Sequence, residues 1–168
     1  MTKLVVYESA FGNTRTVAEA VAAGLGDGTE VVDVASAPPL TQIVADLLVV
    51  GGPTHAFGMS RPQTREDAAS RGGTPPATGI REWLEAAGPV SLRVATFDTH
   101  TRRPNLPGTA GRAAAKKLRA LGCTLVADPE KFWVHGDQGP LLDGEIERAR
   151  AWGAGLARTA SGPPQPRP

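Results

Sequence analysis

Leu4-Val5-Val6-Tyr7-Glu8-Ser9-Ala10-Phe11-Gly12-Asn13-Thr14-Arg15-Thr16-Val17-Ala18 carries more structural information than any other run in this chain. It reads as a buried strand that stops at a hydroxyl-rich turn with one glycine and passes directly into an amphipathic helix. Such a junction sets free backbone N–H groups and short hydroxyls at the positive end of a helix dipole, which suits a phosphate. The run contains no G-x-x-x-x-G-K-[ST], which argues against a nucleoside triphosphate with Mg²⁺, and no G-x-G-x-x-G, which argues against a dinucleotide fingerprint. What remains is a site for one small phosphate, bound mainly by neutral donors. An ordinary strand–loop–helix with Ser9 and Thr14 as caps is the competing reading.

Outward from this junction, strands and helices alternate, the pattern of an α/β fold with a parallel sheet. Lys3–Tyr7 is apolar on consecutive positions, as in a strand covered on both faces. Further strands are expected at Glu30–Val34, at Ala45–Gly51, at Leu92–Phe97, and from Cys123–Ala127, interrupted by Asp128-Pro129 and resuming at Phe132–His135. The run Leu47-Leu48-Val49-Val50 is the most apolar and belongs at the sheet centre. Helices are expected at Thr14–Leu25, at Gln63–Ser70 with Ser60 and Gln63 as a capping box, at Ile80–Ala87 and at Ala110–Leu121. A last helix, Leu142–Arg158, would turn Leu142, Ile146, Ala149, Trp152 and Leu156 to one side. The expectation is a doubly wound, five-stranded parallel sheet of order 2-1-3-4-5, with helices on both faces. Residues 1–159 would form one domain, and the proline-rich residues 160–168, with a nominal P-x-x-P at 163–166, a disordered tail.

The 168 residues fit a single domain, and 40% hydrophobic with 21% charged residues is ordinary for a soluble protein. The net charge is +1, and no run of like charges exceeds two residues, so nothing favours nucleic acid or a membrane surface as partner. The single Cys123 excludes an internal disulfide and cannot build a metal site unaided. No apolar stretch approaches a membrane span and the N-terminus starts a strand, so a cytoplasmic location is expected.

In an open doubly wound sheet, ligands lie beyond the carboxyl ends of the strands, near the switch point between the first and third. Three loops meet that condition here: Glu8–Thr14, Pro53–Met59 and Asp98–Gly108. The first of them resembles the FMN-phosphate signature of flavodoxins, which runs aliphatic, aliphatic, aromatic, any, Ser/Thr, two of any, small, any, Thr, three of any, Ala, two of any, aliphatic. Val5, Val6, Tyr7, Ser9, Gly12, Thr14, Ala18 and Val21 satisfy every specified position. The resemblance covers about residues 2–158, and the fifth strand has no room for a long insertion, so the likeness is to the shorter flavodoxins.

The resemblance implies noncovalent FMN and a set of residues around it. Ser9, Thr14 and Thr16 would offer hydroxyls to the phosphate, Asn13 its amide, and the loop backbone through Ala10, Phe11, Gly12 and Asn13 its N–H groups. Arg15 would either add charge or face solvent. Pro53, Thr54, His55, Phe57 and Gly58 stand in the second flavin loop, with Phe57 as the packing aromatic and Thr54 at the ribityl chain or ring edge. His55 would face the flavin or bond the loop backbone. Gly58 would let the backbone approach the ring. Asp98 and Thr99 are candidates for the polar ring edge, with His100 and Arg102 beside them. The third loop departs from the family, having no aromatic after Phe97. A second aromatic wall is missing or supplied from elsewhere, since Trp83 and Trp133 are expected in the core.

Three functions compete at this stage. The first is a redox protein passing electrons between protein partners, a reductase and an acceptor. Carriers of that kind normally present an acidic face, which 18 basic against 17 acidic residues do not supply. The second is an FMN enzyme reducing a quinone-type small molecule with NAD(P)H. The third is a binding module with a weakened flavin site. A cation about 7 Å from the ring, at an effective dielectric of about 20, would favour an anionic reduced flavin by about 2 kcal/mol. A less negative potential than in acidic flavodoxins is therefore expected. No side chain stands out as an acid–base catalyst, and neither His55 nor His100 has an orienting partner legible in sequence.

Overall fold

The computed structural model describes residues 1–102 and 108–162. Arg103, Pro104 and the 163–166 motif lie outside the described residues. The elements alternate as β1 (Lys3–Tyr7), α1 (Asn13–Leu25), β2 (Thr29–Asp33), β3 (Leu47–Pro53), α2 (Pro62–Ser70), α3 (Ile80–Glu85), β4 (Arg93–Thr101), α4 (Ala110–Leu121), β5 (Thr124–Leu125), β6 (Glu130–Val134) and α5 (Glu145–Ser161). The strands pair in parallel in the order β2-β1-β3-β4-β5, and β6 also pairs with β4. This is the expected order, with a sixth strand attached.

The sixth strand is the resumed fifth. Val94 of β4 stands opposite Leu125, and Phe97 opposite Glu130, so the offset between the two chains grows by two residues across the break. Pro129, which has no N–H to give a ladder, sits in that break.

Apolar residues at alternate strand positions feed two cores. Val6, Leu48 and Val94 meet Leu84 of α3 and Leu118 of α4 on one side. Val5, Val49 and Phe97 meet Val17 of α1, Phe132 of β6 and Leu156 of α5 on the other. There α1 and α5 touch backbone to backbone: a Cβ on Gly153 would lie 2.2 Å from the Val21 carbonyl oxygen, and one on Gly24 2.0 Å from that of Arg150. Only hydrogen side chains permit this approach.

Several boundaries differ from the sequence expectation, each for a local reason. β4 continues four residues past Phe97, because Gly52 and Pro53 of β3 pair with Asp98 and Thr99, and Trp133 and Val134 of β6 pair with His100 and Thr101. Asp98, Thr99 and His100 therefore stand on a strand, not in a loop. The box at α2 is formed by Thr64, whose Oγ1 accepts the Arg61 N–H at 2.9 Å, while Ser60 turns inward to Glu8. In α5 the buried side carries Glu145, Ala149, Gly153, Leu156 and Ala160, and Ile146 is exposed. The close approach of Gly153 to Val21 sets that phase. α5 also runs to Ser161, past the expected tail boundary, and the Arg93 guanidinium donates to the Ala160 carbonyl at 3.0 Å near its end.

Candidate cofactor site

The carboxyl ends of β1, β3 and β4, with α2 and the segment after β6, enclose a cleft of about 410 Å³, within the size range of small-molecule sites. Ser9, Ala10, Phe11, Asn13, Thr14, Pro53, Thr54, His55, Phe57, Thr99 and His100 all line it. Gly12, Gly58, Asp98 and Arg102 are not on its wall.

At the first junction Gly12 holds the N-cap position of α1 with φ of 94°, left-handed backbone that favours glycine, and no side chain caps the helix. Ser9 Oγ accepts the N–H of Gly12 itself at 3.0 Å. Thr14 is buried and its hydroxyl meets that of Thr99 at 2.8 Å. Neither residue caps α1. Among the described residues, the first-turn N–H groups at Asn13, Thr14 and Arg15 thus have no side-chain acceptor at a helix N-terminus, the arrangement that receives an anion. Asn13 Nδ2 donates to the Gln138 carbonyl at 2.9 Å, tying this loop to the segment after β6. Arg15 pairs with Glu19 at 3.0 Å on the exposed side of α1.

The second loop is a two-residue turn. His55 N–H donates to the Gly58 carbonyl at 2.9 Å and Gly58 N–H returns to the His55 carbonyl at 3.1 Å. Both central residues, Ala56 at φ 45° and Phe57 at φ 73°, are left-handed, as a type I′ turn requires. The left-handed positions are therefore Ala56 and Phe57, and Gly58, expected to give the backbone its approach, closes the turn instead. Phe57 stands 51% exposed against the cleft, and Thr54 Oγ1 accepts the Ala110 N–H at 2.9 Å. His55 Nδ1 meets Thr64 Oγ1 at 3.1 Å; burial, then the nearby Arg65 charge, pushes its pKa down, which favours the neutral ring.

At the end of β4, Asp98 is fully buried and Thr99 faces Thr14. His100 lines the cleft and packs edge-on to Trp133, ring centroids 4.6 Å apart. Arg102 lies over the Trp133 ring at 5.8 Å, which draws its charge to that indole. Trp83 is in the core as expected, its indole N–H bonded to the Pro38 carbonyl at 2.9 Å; Trp133 is only half-buried.

The sequence did not point to the far wall: Thr64, Asp67 and Ala68 of α2, Arg71 just after it, and Val134, Gly136 and Asp137. Arg71 joins its two halves, with Asp67 at 3.3 Å and Asp137 at 2.6 Å. The α2 segment is mostly polar, so no periodicity marked which side it would present. Among the described residues, no cluster of three or more His, Cys, Asp or Glu is placed to hold a metal.

An uncapped helix N-terminus, neutral hydroxyl and amide donors, a half-exposed aromatic and polar strand-end residues around one cleft fit a flat group carrying a terminal phosphate. A flavodoxin family model matches residues 5–152. Among solved structures, a flavodoxin from the domain Archaea is 24% identical, with a TM-score of 0.67, covering 96% of this chain and 100% of that one. Oxidised flavodoxin 1 from Bacillus cereus is 19% identical, with a TM-score of 0.67 and coverage of 94% and 98%. A flavodoxin, WrbA-like protein from Agrobacterium tumefaciens is 22% identical, with a TM-score of 0.57 and coverage of 95% and 96%. Comparison by sequence with curated proteins finds no match.

Proposed function

The chain belongs to the flavodoxin family, and on that footing we propose that it carries electrons between protein partners through FMN bound in the cleft. Members of the family bind FMN and transfer electrons to redox partner proteins. The observation that carries the reading is the uncapped first turn of α1 at the cleft, beside Gly12 and Asn13. Its N–H groups would hold the phosphate, with the Asn13 amide and the Ser9 hydroxyl within the same loop. Phe57 would cover one face of the ring and exclude water from it, and Thr99 and His100 would bound its polar side. Bound FMN would supply the electron chemistry, and the protein its position, potential and access. The reading includes a cytoplasmic setting; no helix among the described residues is long and apolar enough to cross a membrane.

The test is a titration of the purified protein with FMN and with riboflavin, followed by absorption and by flavin emission. FMN is expected to bind at least tenfold more tightly than riboflavin, because only FMN brings the anion that the α1 terminus receives. Equal affinity for the two would remove the phosphate site from this reading. No change in emission with either would remove the flavin.

A second reading, FMN-dependent reduction of a quinone-type molecule by NAD(P)H, draws on the near-balanced charge and on an imidazole lining the cleft. Steady-state turnover of NAD(P)H and quinone without any added reductase would favour it.

A further inference from the structure

We propose that His100, held by Asp98, is the proton-holding residue of the cleft, taking up a proton as the bound flavin gains two electrons. The inference rests on the FMN reading above.

Asp98 has no solvent exposure. Its Oδ2 accepts the Gly111 N–H at 3.0 Å in the first turn of α4, where a carboxylate is favoured by the helix dipole. A Cβ on residue 111 would stand 2.7 Å from that oxygen, so a glycine there makes the room. Capping α4 accounts for one oxygen only. The other, Oδ1, lies 2.6 Å from His100 Nδ1.

A carboxylate on Nδ1 fixes the proton there and leaves Nε2 as the nitrogen that gains and loses one. The ring is part of the cleft wall, its side chain 13% exposed. Among the described residues no other polar group bonds it, and Trp133 packs on its edge. The imidazole is thus oriented by a buried anion on one side and open to the cleft on the other, a relation that residues two apart on a strand make possible by sharing a face.

Other charged groups stand on the elements around it. Arg102 follows the end of β4, Lys131 of β6 is the register partner of Asp98, and Arg112 sits in the first turn of α4. Across the cleft are His55, Asp67, Arg71 and Asp137, with Arg71 bound to both carboxylates. Among the described residues, Asp98 is the charged group in contact with the imidazole itself.

The balance is two electrons and two protons. The electrons come from a reducing partner, a protein or a nicotinamide dinucleotide, and the protons from water. One proton goes to the flavin, which is left with one negative charge. The second goes to His100 Nε2, where the imidazolium offsets that charge. Reoxidation returns both protons to water.

The experiment is potentiometric titration of the FMN-loaded protein from pH 5.5 to 9, for wild type, His100→Gln and Asp98→Asn. It is paired with nitrogen NMR of the His100 ring in the flavin-free protein, which reports which ring nitrogen carries the proton. Each proton taken up per two electrons changes the reduction equilibrium tenfold per pH unit, about 30 mV. Above the pH at which the reduced flavin itself takes a second proton, wild type is expected to show a window with two such factors, and His100→Gln one factor. The neutral His100 ring of wild type is expected to carry its proton on Nδ1, against Asp98, and Asp98→Asn to weaken that preference. A single factor throughout that range in wild type, the same window in His100→Gln, or a ring proton on Nε2 in wild type overturns the proposal. If wild type binds FMN and any of these results is found, only this inference falls; if it binds no FMN, the cofactor reading falls as well.

Discussion

The carboxylate of Glu8, at the end of β1, accepts the backbone N–H of Ile80 at 2.8 Å, joining the first strand to the start of α3. It also accepts the hydroxyl of Ser60, which in turn accepts Arg65 Nη1 at 2.9 Å, and Arg65 pairs with Glu82. Glu8, Ser60 and Arg65 are all buried. This polar chain fixes how the first junction meets α2, and α2 is the far wall of the cleft. Glu8→Ala would leave the buried Ile80 N–H and the buried Ser60 hydroxyl without their acceptor. A loss of about 3 kcal/mol or more is expected, measured by urea unfolding.

The same residue gives a pH signature. Burial, outweighing its hydrogen bonds to Ser60 and Ile80, raises the Glu8 pKa in the folded protein. A carboxyl raised on folding is favoured protonated, so its contribution is full below its unfolded pKa and is lost as pH rises through the folded one. Glu8→Gln keeps the shape and removes the titration. Its stability relative to wild type is therefore expected to improve from pH 4 to pH 8. Parallel unfolding curves for the two proteins over that range would contradict this.

The contact of α1 with α5 predicts a steep cost for one methyl group. Alanine at Gly153 would press on the Val21 backbone, which no rotamer change relieves. Gly153→Ala is expected to cost about 1–3 kcal/mol, with the same order for Gly24→Ala. Alanine at the half-buried Gly155, whose Cβ would meet only the end of Arg158, should cost little by comparison. Thermal unfolding of the three variants provides the ranking.

The turn at Ala56 and Phe57 holds two side-chain-bearing residues in left-handed backbone. Each such residue carries roughly 1–2 kcal/mol of strain. Ala56→Gly keeps the turn and removes the strain at one position, so the flavin-free protein should gain up to about 1 kcal/mol. Denaturant unfolding without flavin checks the sign.

Much of this architecture can be read from residue pattern. β1, α4 and the sheet order follow from apolar runs and helix stops, because their burial is dictated by residues close in sequence. The end of β4 does not follow that rule. Asp98-Thr99-His100-Thr101 is polar, yet it stays in the ladder because β3 and β6 pair with it on both sides. A polar strand end looks like a loop until its neighbours are known. The partnership of Asp98 with His100 is a consequence of that extension, since a strand turns residues two apart to one face. The α2 wall was hidden for a different reason: it is placed by Glu8, Ser60 and Arg65, whose contacts span distant parts of the chain. The two-residue turn carries Ala and Phe where Asn or Gly would have announced it.

The break between β5 and β6 has a consequence for how the molecule meets its own copies. An outermost strand with unbroken rungs is a template on which a second chain can add and aggregation can begin. Here that margin is cut into lengths of two and five residues, staggered by the extra residues and stiffened by Pro129. Among the described residues, no long, flat ladder is left on that side for another molecule to zip onto.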